Sequence, residues 1–252
     1  MIPVFRAVIF DLDGTLVQTE ALKAISYARA AVELRPDLQA GDVIAGFDDL
    51  IGRSRNEVAQ TLVSRFGLEA PARARAAELG VKEPWEAFVT LRLRIYEHML
   101  RDPELLRRQA FPYAIDLLHK VKGEGYPTGL ATMSYAQQAT VVIDTLGFRP
   151  YLDVIVTRDE VQRPKPDPEI YTLCADRLHV APADCLVIED SEPGVEAAVA
   201  AGMSCVAVAS DLTREGLHAH PTLPRERLID DPKMLDAAVT ALLNHSITST
   251  RG

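Results

Sequence analysis

From Pro112 to Val208 short apolar runs alternate with longer amphipathic segments, and no other property of the chain restricts its fold as much. A helix is expected at 113–123, a strand at 127–132, a helix at 134–146 ending at Gly147, and a short strand at 154–156. A helix follows at 168–178, with Asp167 at its N-cap and Pro168 at its first position, where a missing N–H does no harm. Cys185–Ile188 reads as a strand, 192–200 as a helix closed by Gly202, and Cys205–Val208 as a further strand. Strands separated by helices require crossover connections, so the expected fold is α/β, a doubly wound parallel sheet with helices on both faces.

The first apolar run, within residues 6–11, must join that sheet. Between it and Pro112 the texture is helical, with expected helices at 19–33, 54–66, 71–80 and 84–100. Leu91, Ile95 and Met99 repeat at four-residue spacing, the stripe of a helix facing a core. The chain is therefore expected to hold a core domain of residues 1–17 and 109–252, interrupted by a helical domain of residues 18–108. Charge divides along the same lines. Residues 17–109 carry 14 basic and 14 acidic residues, so the rest of the chain holds the whole net charge of −9. Past Asp211 the pattern is less regular, with a last strand expected at 227–229 and disorder over the final eight residues.

That acidic balance argues against a general nucleic-acid binder, which needs clustered Lys and Arg against the phosphate backbone. No apolar stretch approaches the roughly 18 residues of a membrane span, and the N-terminus lacks the pattern of a signal peptide, so a cytoplasmic location is expected. Cys174, Cys185 and Cys205 have no metal-ligand spacing and read as small buried hydrophobes. The histidines, His98, His179, His218 and His220 among them, likewise lack metal-ligand spacing.

Ligands of open parallel sheets bind beyond the carboxyl ends of the strands, and four such ends carry reactive residues. In the first, Val8-Ile9-Phe10 stops at Asp11-Leu12-Asp13-Gly14-Thr15, which could form a turn, a metal site or a catalytic pair. An EF-hand is excluded because Thr15, Leu16 and Leu22 stand where its fifth-position ligand, glycine and final glutamate would be. No P-loop motif occurs. In the second, Thr132 and Ser134 place hydroxyls before a helix N-terminus, a natural phosphate site, although either could simply cap the helix. The third is Lys165, set among Pro164, Pro166 and Pro168, whose rings restrict the backbone and so aim the side chain. The fourth is Glu189-Asp190-Ser191, a second acidic pair closing an apolar strand. Two carboxylate pairs, a hydroxyl and a fixed ammonium can hold Mg²⁺ and a phosphate and neutralise charge during transfer.

In order and spacing, Asp11-Leu-Asp13-Gly-Thr15, Thr132, Lys165 within Lys-Pro-Asp-Pro, and Glu189-Asp190-Ser191 with Gly194 resemble the haloacid dehalogenase superfamily. The resemblance covers nearly the whole chain. Its inserted helical region is similar to the small cap of the branch that includes phosphoglycolate phosphatases and β-phosphoglucomutases. It implies a Rossmann-like core in which Asp11 attacks phosphorus and Asp13 acts as acid and then base. Mg²⁺ would be held by Asp11, the backbone carbonyl of Asp13, and Asp190, with Glu189 assisting. Thr132 would bind the transferring phosphoryl group and Lys165 would offset negative charge, with Gly14, Thr15 and Ser134 lining the phosphate site. Arg53 and Arg55 are candidates for a second anionic group of the substrate.

The chain departs from relatives in carrying Gln18-Thr19 where an acid is common, Pro112-Tyr113 in place of Pro-Gly, and Ile51 before the cap Gly52 where mutases have a basic residue. The expected function is thus a Mg²⁺-dependent phosphatase for a small phosphorylated metabolite, a sugar phosphate or a phosphoglycolate-like compound. A sugar phosphomutase is the alternative enzyme, and a non-enzymatic binding protein on the same fold the alternative of another class.

Overall fold

The apolar runs become a six-stranded sheet in the computed structural model, which describes residues 4–50, 53–211, 213–220 and 223–248. In chain order the main elements begin with β1 (Ala7–Phe10). A helical segment follows, made of α1 (Thr19–Leu34), α2 (Ala40–Ala45), α3 (Arg55–Arg65), α4 (Glu69–Ala76), α5 (Pro84–Leu100) and α6 (Pro103–Gln109). The alternating part comprises α7 (Pro112–Gly123), β2 (Thr128–Ala131), α8 (Ala136–Leu146), β3 (Val154–Val156), α9 (Glu169–Leu178), β4 (Cys185–Glu189), α10 (Glu192–Ala200) and β5 (Ser204–Val208). It closes with α11 (Arg214–Ala219), β6 (Leu228–Ile229) and α12 (Leu235–Thr248).

All strand pairs are parallel and the order is β3-β2-β1-β4-β5-β6. β1 lies at the centre, with Phe10 in register with Leu130 of β2 and Ile188 of β4. The residue after each of these three strands, or the last of the strand, is therefore brought to the same edge. Continuous apolar runs suit such strands because helices cover both faces, and Ala7 through Phe10 are fully buried. Gly147 closes α8 in the left-handed region at φ 76°, which glycine adopts without strain.

The chain divides into two compact units, one of residues up to Gln18 and from Leu106 onward, the other Thr19–Leu105. The second has its own core, built by Tyr27 and Ala31 of α1, Leu62 of α3, and Phe88 and Leu91 of α5. Leu91 and Met99 are buried and Ile95 half-buried, so the four-residue stripe faces apolar packing. No helix among the described residues is long and apolar enough to cross a membrane.

Several local expectations need correction. α9 starts at Glu169 with Pro168 at the N-cap, and Asp167 instead accepts the Glu169 N–H at 3.0 Å. α4 begins two residues before Pro71, which fits in a first turn whose N–H groups lack helical partners. The short helices α2, α6 and α11 lie in stretches too brief for periodicity to mark them. The closing stretch is more regular than expected. Leu235, Val239 and Leu243 are buried at four-residue spacing along α12, which runs through Thr248. The first half of the expected disordered tail is thus helical, and 249–252 lie outside the described residues, as does the Ile51-Gly52 pair.

Gly129 of β2 is a packing requirement: a Cβ there would lie 2.5 Å from Cys174 Sγ and 3.2 Å from Leu178 Cδ1. Gly129→Ala should lower stability by about 1–3 kcal/mol through overpacking, read as a reduced urea midpoint. An unchanged midpoint would mean that α9 yields at no cost.

Candidate active site

Asp11 follows β1 directly and its backbone N–H donates to Ile188 O at 3.0 Å, so the ladder with β4 continues to Asp11 itself. The chain then turns tightly. Leu16 and Val17 N–H groups donate to Leu12 O, and Gly14 N–H donates to Val17 O at 2.8 Å. Gly14 has φ 94°, and a Cβ on it would stand 2.1 Å from Asp190 Oδ2. Both the backbone conformation and the close approach of Asp190 therefore require glycine. Thr15 Oγ1 donates to Asp190 Oδ1 at 3.4 Å, which ties this turn to the end of β4.

Asp13 points at β2. Its Oδ2 accepts from Thr132 Oγ1 and Ser134 Oγ, each at 2.8 Å, and Ser134 N–H donates back to Thr132 Oγ1 at 3.0 Å. The two hydroxyls read in the sequence as phosphate ligands or caps thus orient an acid. Tyr135 is the N-cap residue of α8 and its own side chain makes no cap hydrogen bond; Asp159 Oδ2 instead accepts from Ala136 N–H at 2.6 Å.

Lys165 Nζ donates to Asp11 Oδ1 at 2.7 Å, Glu189 Oε1 at 2.7 Å and Ala131 O at 3.1 Å. Its side chain is 6% exposed, and the ammonium lies 4.7 Å from the centre of the Tyr171 ring. Glu189 is more heavily engaged still. Oε1 accepts from Lys165 and from Tyr171 Oη at 2.8 Å, while Oε2 accepts from Asp190 N–H, Ser191 N–H and Ser191 Oγ at 2.8–3.0 Å. Five donors fill the roughly four lone-pair sites of a carboxylate. Gly194 makes room for it, since a Cβ there would overlap Glu189 Oε1 at 1.7 Å.

Burial sets the charge balance. It raises the Asp11 carboxyl to about 8; Lys165 opposes that shift, and the Glu189 and Asp13 carboxylates add to it. Asp190 is likewise held well above the usual carboxylate range by burial, then by Glu189 and Asp11. For Glu189 burial also works upward, but the Lys165 ammonium and the N–H and O–H donors outweigh it and hold the carboxyl below its ordinary value. Burial works against the Lys165 charge, and Asp11 and Glu189 more than restore it.

Asp11, Glu189 and Asp190 are buried, and each offers an oxygen within 4.8 Å of the others. If all three carboxylates ionise, their charge exceeds that of the one ammonium and would be neutralised by a hard dication with oxygen ligands, and this donor set fits Mg²⁺. Nine of the expected residues, Asp11, Asp13, Gly14, Thr15, Thr132, Ser134, Lys165, Glu189 and Asp190, meet at the ends of β1, β2 and β4. Arg53 and Arg55 belong to the helical unit, where Ser54 caps α3 between them. Gln18 N–H donates to Gln109 O at 2.7 Å, and Pro112 starts α7. Tyr171 was not legible as a site residue, because an aromatic among apolar neighbours on a helix reads as core.

Two outcomes follow from this geometry. With Asp11 at about 8, the cation-free cluster retains a proton at neutral pH, and this group's contribution to stability declines as pH rises from 3.8 toward 8. Mg²⁺ should expel that proton, so its affinity should rise with pH up to about 8; calorimetry in buffers of different ionisation enthalpy measures the proton released, and none at pH 7 would contradict the balance described. Tyr171→Phe keeps the ring beneath Lys165 but removes a donor to buried Glu189, and should cost about 1.5–3 kcal/mol in urea unfolding; an unshifted midpoint would show the hydroxyl to be dispensable.

The model of the haloacid dehalogenase-like hydrolases matches residues 5–202. The chain is 35% identical over 199 residues to the phosphorylated carbohydrates phosphatase of Thermotoga maritima, covering 79% of this chain and 82% of that protein. It is 31% identical over 206 residues to the fructose-1-phosphate phosphatase YqaB of Escherichia coli, covering 81% of this chain and 96% of that one. Among solved structures, a putative β-phosphoglucomutase from Thermotoga maritima superposes with a TM-score of 0.72 at 29% identity, over 94% of this chain and 99% of that one. Match, fold and strand-end carboxylates agree, and the chain belongs to the haloacid dehalogenase-like hydrolase family.

Proposed function

We propose that this protein is a Mg²⁺-dependent phosphatase of a small phosphorylated metabolite, working through a phosphorylated Asp11. The observation that carries this reading is the different setting of the two acids at the end of β1. Asp11 lies against the Lys165 ammonium within the buried carboxylate cluster, whereas Asp13 is oriented by two hydroxyls on the neighbouring strand. Two carboxyl groups one residue apart can then take different roles.

In the first half-reaction an Asp11 oxygen forms a bond to phosphorus as the bond from phosphorus to the ester oxygen breaks. Asp13 delivers a proton to the departing oxygen. In the second, Asp13 takes a proton from water, the water oxygen bonds to phosphorus, and the bond to Asp11 breaks with release of inorganic phosphate. Lys165 holds Asp11 in place and offsets charge in both halves, and Glu189 holds Lys165. Asp11, Asp190 and the Asp13 backbone carbonyl would hold Mg²⁺. The ion would neutralise charge on the phosphoryl oxygens. The neutral helical segment of residues 18–108 acts as the cap domain, which governs substrate selection.

The relatives named as phosphatases support hydrolysis, and the solved structure named as a putative mutase supports transfer to a sugar as a second reading. Asp11→Asn should abolish Mg²⁺-dependent hydrolysis of a generic phosphate ester while circular dichroism remains unchanged. Persisting turnover would remove Asp11 from the nucleophile's role. Incubation of the unaltered protein with a sugar 1-phosphate and a trace of bisphosphate separates the two readings: inorganic phosphate is expected, and an isomerised sugar phosphate in its place would favour the mutase.

A further inference from the structure

The Lys165 ammonium is fully engaged. Its three N–H groups have three acceptors, Asp11 Oδ1, Glu189 Oε1 and Ala131 O. A fourth contact comes from the Tyr171 ring, whose centre lies 4.7 Å from Nζ, within the range of a cation–π interaction. Tyr171 is wholly buried, and its Oη donates at 2.8 Å to Glu189 Oε1, the same oxygen that accepts from the ammonium. One side chain therefore meets both members of the ion pair, the cation with its ring and the anion with its hydroxyl.

The loop that carries Lys165 is fastened to the helix that carries Tyr171. Glu169, the first residue of α9, accepts from the Gln162 and Arg163 N–H groups through its two carboxylate oxygens, each at 3.0 Å. Asp167 accepts the Glu169 N–H at 3.0 Å, and its own N–H donates to Pro164 O at 3.0 Å. Tyr171 lies in the same first turn, and further along α9 Cys174 and Leu178 pack closely over Gly129 of β2. A helix seated on the sheet thus supports both the backbone around Lys165 and the charge at the end of its side chain. A lysine needs such support, because its ammonium is a point charge on a flexible four-carbon stem. An error of about 1 Å in a reacting group can cost about a hundredfold in rate, and rotamers locked by packing and hydrogen bonds prevent it.

We propose that Tyr171 is a positioning residue of the reaction, acting through Lys165 and Glu189 to fix the Asp11 carboxylate in the orientation from which it attacks. Its ring seats the ammonium, and its hydroxyl fixes the Glu189 oxygen on which the ammonium pulls, so that Lys165 meets Asp11 at Oδ1. Tyr171 works through these side chains and is not itself a catalytic residue. The part it plays in turnover rests on the phosphatase reading; its placement of the Lys165 ammonium does not.

Two substitutions separate the hydroxyl from the ring. Tyr171→Phe, which keeps the ring and nearly all the volume, should lower kcat for a generic phosphate ester with Mg²⁺ by roughly tenfold, the scale of one hydrogen bond to a charged group. KM should stay within about twofold, because no contact with substrate is removed. Calorimetry should still find the Mg²⁺ stoichiometry of the unaltered protein, which shows that the lost turnover is not lost folded protein. An unchanged kcat in a variant less stable to urea makes the hydroxyl merely structural and overturns the proposal. A fall in kcat matched by an equal fall in Mg²⁺-binding chains overturns it as well.

Nuclear magnetic resonance of protein labelled at the lysine nitrogens needs no turnover. The Lys165 ammonium, identified by its absence from Lys165→Arg protein, should give a slowly exchanging signal whose protons are shielded by the ring. In Tyr171→Phe the shielding should persist while exchange with water quickens, and in Tyr171→Leu the shielding should be lost. A missing signal in the unaltered protein, unchanged exchange in Tyr171→Phe, or unchanged shielding in Tyr171→Leu overturns the placement. If the unaltered protein hydrolyses no phosphate ester yet the ammonium responds as expected, the phosphatase reading falls and the placement of Lys165 by Tyr171 stands.

Discussion

One ammonium group organises the edge of this sheet. Lys165 Nζ bonds to Asp11 at the end of β1, to Ala131 O at the end of β2 and to Glu189 at the end of β4. These are the three central neighbours of the sheet, so a single side chain from a connecting loop joins their carboxyl ends. Such a buried pair adds little net stability when intact, but removing one partner strands the other charge and is expensive. The arrangement is better understood as a fixed charge distribution than as a source of stability. It also explains the prolines at 164, 166 and 168: an ammonium that must serve three strands needs a backbone with few alternatives.

Glu189 complements that ammonium. With five donors on its two oxygens, it is held as a permanent anion that fixes Lys165. Asp11 and Asp190 lack so complete a set, and burial raises both carboxyls above the usual carboxylate range, as suits groups that would face a cation and a phosphoryl group. Gly14 and Gly194 are the spatial conditions for this division, because a Cβ on either would occupy the position of a carboxylate. The helical unit presents the inverse case: there Arg92 is buried with aromatic support and forms no ion pair among the described residues.

Much of the architecture can be read from the chain because parallel strands covered on both faces must be continuously apolar, and because the helices between them carry their own stop signals. The expected strands at 154–156, 185–188 and 205–208 fall within a residue of those observed. Ligand binding at strand ends then directs attention to Asp11, Thr132 and Glu189 before any coordinate is known. α12 escaped notice because its polar positions are few and its apolar stripe merges with alanines, so period and composition gave no contrast.

Residue types and spacing were enough to single out the candidate reacting groups, since a proposed nucleophile, acid, ammonium and metal-binding carboxylates would each need a particular functional group at a strand end. Their partners were not readable, because a hydrogen bond across 119 or 154 residues leaves no mark on either neighbourhood. Folding alone assigned the hydroxyls of Thr132 and Ser134 to Asp13, recruited Tyr171 from an apolar helix to Glu189, and set Arg92 between two tyrosines. Local sequence carries chemical identity and backbone preference, while charge balance depends on which distant groups are buried together.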